Sequence, residues 1–177
     1  EFHRFAASGI VHAAADAEYG WAWYGQLVGA YFRNHPAGTP TATVLREDKT
    51  DPSTAGLPDA WSRTDEWYNY QSPVNPVVNG GGTDYNPRNT ADTHVLLTMD
   101  ESTYAEDDGN TTDDDHPIAW CKKFDGGRMF YTGMGHTQAS YSEAGIRSHI
   151  AAGIEIAAGK LASAACGVAP ANANPVI

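Results

Sequence analysis

Apolar and polar positions switch between two periods along this chain, and the switches mark its elements. Ser8-Gly9-Ile10-Val11-His12 is a short apolar run leading into Ala13-Ala14-Ala15, read as a strand followed by small residues. Trp21, Tyr24, Leu27, Val28, Tyr31 and Phe32 recur at helical spacing, which predicts one helix with a strongly apolar face. Asn34-His35-Pro36 stops it, because the residue before a proline avoids the α region. Thr41 to Arg46 alternates as a strand, Asp51-Pro52-Ser53-Thr54 is a turn or a short helix start, and aromatic-rich Glu66 to Tyr70 predicts a further strand. The Gly-, Asn- and Pro-rich stretch from Asn75 to Thr90 is a loop.

His94 to Met99 is a strand, and a second, acidic loop runs from Asp100 to Asp115. Pro117 to Cys121 and Arg128 to Thr132 predict a hairpin around Asp125-Gly126-Gly127. Ser140-Tyr141-Ser142-Glu143 has capping-box spacing and opens a helix with Ile146, Ile150 and Ile154 on one face, ending near Gly159. Short strands alternating with helices indicate an α/β fold, to which the hairpin adds antiparallel strands. One domain over residues 1–160 and a tail or linker start over 161–177 describe the chain.

Composition narrows the partners. The formal net charge of −11 argues against nucleic acid or an anionic membrane, since phosphates need a basic patch. No window reaches the roughly 18 apolar residues of a membrane-spanning helix. Five Trp and nine Tyr against 11 Lys plus Arg suit a sugar-binding surface as well as an aromatic core. The two cysteines, Cys121 and Cys166, are either free buried thiols or one disulfide tying the C-terminal tail to a central strand. Acidic charge, few Lys and a Pro/Ala/Asn tail from Ala169 to Ile177 lean towards an extracellular, secreted protein and so towards the disulfide.

The order of several motifs is more specific. Gly9-Ile10-Val11-His12-Ala13-Ala14, Trp21-Ala22-Trp23-Tyr24 with Leu27 to Phe32 and His35-Pro36, then Asp65-Glu66-Trp67-Tyr68, resemble successive blocks of the ThuA-like (trehalose utilisation) family. Asp115-His116-Pro117-Ile118-Ala119-Trp120, Gly127 to Thr137 and the helix ending at Gly159 resemble its later blocks. The resemblance implies a flavodoxin-like, class I glutamine-amidotransferase-like three-layer sandwich and a role in carbohydrate metabolism. It also implies about two β/α units ahead of Gly9, so the chain is expected to be a fragment of the full domain. Another segment or chain is then expected to cover the exposed sheet edge.

Within these blocks His12, His136 and Glu66 are the candidate catalytic residues. His12 follows a strand, at the edge where α/β folds place ligands. The amidotransferase relatives keep a cysteine nucleophile there, and this chain has none nearby, which argues against thiol-based glutamine hydrolysis. His136 follows Gly133-Met134-Gly135, and Glu66 shares a strand face with Tyr68, where a carboxylate among aromatics suits acid–base work. The alternative for Glu66 is an ion pair with Arg128. Trp21, Trp67 and Trp120 are candidate stacking platforms, with Tyr68, His116 and Arg128 as further substrate-binding candidates. His35 before Pro36 resembles His116, in that either is a site residue or part of a turn. His3, His94 and His149 are structural or surface residues.

A divalent metal on His12, His136 and Glu66 is an option without supporting spacing, and the acidic run from Glu106 to Asp115 does not fit an EF-hand. No nucleotide-binding glycine motif is present. Two readings follow, with a saccharide ligand in each. One is an enzyme acting on a glycoside or keto-sugar, the keto-sugar favoured because no convincing carboxylate pair is evident. The other is a non-catalytic carbohydrate-binding or accessory module of a larger secreted protein.

Overall fold

A computed structural model describes residues 8–105, 115–163 and 165–166, with the side chains of residues 8–12 outside that description. His3, most of the acidic run and the end of the tail lie outside the described residues. Eight strands are described: β1 (Ser8–Val11), β2 (Tyr31–Asn34), β3 (Thr41–Arg46), β4 (Ala60–Thr64), β5 (Asn69–Gln71), β6 (His94–Asp100), β7 (His116–Phe124) and β8 (Gly127–Thr132). The two α-helices are α1 (Ala22–Val28) and α2 (Ala144–Ala157).

Six strands form one sheet in the order β1-β8-β7-β6-β3-β4, while β2 and β5 pair antiparallel as a separate ribbon. β1 and β8 run parallel, Ser8 facing Met129 and Val11 facing Thr132, and the other neighbours are antiparallel. The hairpin turns through Asp125 and Gly126 as its sequence predicts.

Alternation along β7 and β8 separates two cores. Trp120 and Lys122 point to one face, donating to the Val28 and Gln26 carbonyls of α1 at 2.8 and 3.0 Å. Tyr131 stacks on Trp120 there, and Tyr70 of the β2–β5 ribbon meets both rings. Cys121 and Phe130 point to the opposite face. Gly153 of α2 lies so close to the Phe130 ring that an added Cβ would overlap it. The layers are therefore α2, the sheet, and α1 with the ribbon.

Cys121 and Cys166 form a disulfide with Cα atoms 5.3 Å apart, tying the segment after α2 to β7. Asp51 strengthens the tie, accepting from Ser163 Oγ and from Ser53 Oγ and N.

Four sequence expectations change. The helix predicted over Trp21 to Phe32 stops at Val28, because Gly29 takes φ 94° and returns its N–H to the Gly25 carbonyl. Tyr31 and Phe32 then enter β2. The strand predicted over Glu66 to Tyr70 begins only at Asn69. The buried face of α2 is Ile146, His149, Gly153 and Ile156, while Ile154 is 52% exposed. No side-chain cap opens α2, since Glu143 turns its carboxylate to Arg63 and Thr137 caps a 3-10 turn just before it. β4 went unforeseen because a buried Arg63 occupies a core-facing position.

Candidate functional site

The parallel pair β1–β8 sends two segments off the same edge of the sheet. After Val11 the chain enters a 3-10 turn, His12–Asp16; after Thr132 it enters Gly133-Met134-Gly135-His136. The register ends with Val11 opposite Thr132, so His12 and Gly133 each follow one member of that last pair. The His12 side chain lies outside the described residues.

Glu66 sits between two imidazoles at this edge. Its Oε1 is 3.3 Å from His35 Nε2 and its Oε2 is 3.2 Å from His136 Nδ1. The carboxylate is mostly covered, with 14% of the side chain exposed, whereas His136 is 45% exposed. His35 Nδ1 lies 2.7 Å from the Pro36 carbonyl, which can only accept, so the ring is oriented with Nε2 towards Glu66. The alternative ion pair of Glu66 with Arg128 is not among the ion pairs of the described residues, where Glu66 meets His35 and His136 instead. Arg128 is the second residue of β8, at the far end from His136, and packs its guanidinium against Gly159.

Aromatic side chains wall the pair. Tyr68 lies 4.4 Å from Phe32, and the His35 ring stacks on it at 6.1 Å. Burial first, then the Glu66 and Asp16 carboxylates, push the Tyr68 phenol up to about 12, so it remains a protonated donor at neutral pH. Tyr19 donates to Asp16 at 2.5 Å, and burial together with that bond pushes its phenol up as well.

His116 lies beneath. It is buried; its Nε2–H donates to the Tyr68 carbonyl at 2.8 Å, and its Nδ1 meets Glu101 Oε1 at 3.0 Å and the Tyr104 hydroxyl at 3.2 Å. His116 therefore holds the backbone at Tyr68, just ahead of β5, and also lines a small cleft with Asp84, Tyr85 and Asp115.

The tryptophans divide. Trp67 and Trp120 are fully buried, their indole N–H groups donating to the Pro40 and Val28 carbonyls. Their ring faces belong to the core, which removes them as platforms for a ligand. Trp21 is 50% exposed and lies against Trp23 and Tyr24, with ring centroids 5.1 and 6.0 Å away and planes within 23°. Trp23 is pinned to the hairpin turn by its N–H bond to Asp125.

Among the described residues, no three His, Cys, Asp or Glu side chains are arranged to hold a metal ion. No described helix is long and apolar enough to cross a membrane.

The sequence profile of ThuA, described as trehalose utilisation, matches residues 7–157. The chain belongs to the ThuA family. Two solved structures share its fold. A putative ThuA-like protein from Bacteroides uniformis ATCC 8492 aligns with TM-score 0.59 and 21% identity, over 87% of this chain and 57% of its own. Another, from Parabacteroides merdae ATCC 43184, aligns with TM-score 0.56 and 18% identity, over 84% and 59%. This ThuA chain thus spans less than two thirds of the length of either structure. No curated protein matches it. The family and the layer order make the fold class I glutamine-amidotransferase-like, and the family's description, trehalose utilisation, is carbohydrate-related.

His35 and Asp16 are the site residues that sequence reasoning undervalued. The histidine-proline turn that ended the helix pattern was the available signal for His35. Asp16 carried none, since a lone aspartate after three alanines reads as a surface residue.

Proposed function

We propose that this ThuA domain processes a keto-sugar or a glycoside by acid–base chemistry centred on Glu66 and His136, with His12 and His35 beside them. The observation that carries the reading is the Glu66 carboxylate held between two imidazoles at the edge where β1 and β8 end. His136, the more exposed partner, would exchange a proton with substrate, and Glu66 would orient its ring and balance its charge. Tyr68 would serve as a neutral donor to a sugar oxygen. For a keto-sugar these groups suit proton abstraction beside the carbonyl followed by elimination. Among the described residues, Asp16 is bonded to Tyr19 and Asp65 is fully buried, so neither offers a free second carboxylate for the two-carboxylate route of ordinary glycosidases.

Assay of trehalose and of its keto-oxidised form, with Glu66→Gln and His136→Ala variants, tests the proposal. Loss of turnover in both supports it; undiminished turnover in both ends it.

The exposed Trp21 face favours a second reading, a non-catalytic saccharide-binding module. That reading expects sugar binding to survive Glu66→Gln and fail in Trp21→Ala. The disulfide and the acidic balance support an extracellular location. The outer edge of β1 has no strand partner among the described residues, and a further segment or chain is proposed to pair there.

A further inference from the structure

Glu66 and His136 come from distant parts of the chain, yet their backbone amides end on one atom. Asp65 Oδ1 accepts from the Glu66 N–H at 3.1 Å and from the His136 N–H at 3.0 Å. Its Oδ2 accepts from the Gly135 N–H at 2.8 Å and from Ser140 Oγ at 3.1 Å. Two donors on one oxygen hold the two amide nitrogens within about 6 Å of each other. Gly135 makes this geometry accessible: at φ 108°, which side-chain-bearing residues rarely adopt, it turns successive N–H groups towards the same carboxylate.

The carboxylate is fully buried and meets a buried cation. Arg63 Nη1 lies 3.2 Å from Asp65 Oδ2, while Arg63 Nε and Nη2 grip the two oxygens of Glu143 at 3.1 and 2.9 Å. Burying such charges is a poor source of stability, because desolvation offsets most of the attraction and an apolar replacement often serves as well. Every acceptor position of Asp65 that the structure shows is spent on the segments bearing Glu66 and His136, or on the Arg63–Ser140 support behind them. The arrangement supplies registry rather than cohesion.

We infer that Asp65 is a positioning residue that sets the separation of the Glu66 carboxylate from the His136 imidazole, and with it the path of proton transfer at the site. The inference rests on the acid–base reading of that pair, but it can be tested without any sugar.

The experiment follows the His136 ring carbon–proton signal by NMR in the full chain, comparing wild type, Glu66→Gln, Asp65→Asn and the double variant. The expected result is a His136 shift on Glu66→Gln in the wild-type background and its loss in the Asp65→Asn background. A shift of equal size in both backgrounds overturns the positioning role while leaving the Glu66–His136 pair intact. No shift in either background removes the pair itself, and the inference falls with it. Ser140→Ala is the control for a merely structural role, and should lower thermal stability while the coupling survives. Should Asp65→Asn fail to fold, amide exchange in the wild type decides: the Glu66, Gly135 and His136 amides, all outside regular strands, are expected to be protected. Rapid exchange at all three would overturn the proposal.

Discussion

The core under α2 and the edge around Glu66 each hold histidine, and the two environments use it in opposite ways. His149 is fully buried on α2; its Nδ1 meets the Ser53 carbonyl at 2.9 Å, Nε2 has no partner among the described residues, and the Phe130 ring lies 5.1 Å away. Burial pulls its imidazole down from 6.5 to about 4. His136 and His35 instead share a carboxylate at the rim, with solvent beside them. A histidine whose nitrogens reach only a carbonyl and apolar surface is kept neutral and becomes a core residue. One whose nitrogen reaches a carboxylate at a sheet edge keeps a proton partner and can do chemistry.

That contrast can be broken at several points. Removing the edge pair has the largest expected effect: Glu66→Gln should lower turnover of a confirmed sugar substrate by about 10²–10⁴-fold with little change in melting temperature. Comparison of kcat and thermal unfolding on the same preparation checks both halves.

On the core side, Cys121→Ser with Cys166→Ser should cost about 2–4 kcal/mol, read as a lowered denaturant midpoint that reductant reproduces in the wild type. The pH dependence comes next. Because folding lowers the His149 pKa, the unfolded chain takes up the proton first as the solution is acidified. The contribution of His149 is therefore whole above about pH 6.5 and drains away between there and about pH 4, a loss on the order of 3 kcal/mol. Urea titrations across that window should show it, and His149→Leu should flatten the slope; an unchanged slope would mean the ring is not shielded.

Gly153→Ala sharpens the packing side. The new methyl would meet the Phe130 ring, so a loss of about 1–3 kcal/mol is expected by urea denaturation. Smallest is Trp21→Ala, whose half-exposed ring lies outside the core against Trp23 and Tyr24, with an expected change within about 0.5 kcal/mol. A large destabilisation there would mean that the exposed ring is part of the scaffold.

Elements whose apolar pattern matched their burial were legible in the chain: β3, β6, the β7–β8 hairpin and the existence of α2. Those whose core positions carry charge were not. β4 hides its inward residue as Arg63, and the buried face of α2 includes His149 and Gly153, which no hydrophobic count selects. In the site, Glu66 and His136 were reachable because each adjoins a conspicuous motif. The contact between them, though expected, has no local signal in the chain, because the Asp65 bonds to both backbones join segments 70 residues apart. Trp67 and Trp120 were misjudged because an indole reads alike in sequence whether its face is free or spent in the core.

The parallel pairing of β1 with β8 also has a consequence in time. Ser8 must wait for Met129, on the far side of the β7–β8 hairpin, before β1 can make this parallel pairing. The hairpin and the β6–β7 pair join neighbours along the chain and can close early, whereas β1 closes the longest loop in the sheet. The first of the described strands along the chain is thus expected to dock among the last. The edge that holds Glu66 and His136 beside the start of the His12 turn is then completed only once β8 has been made.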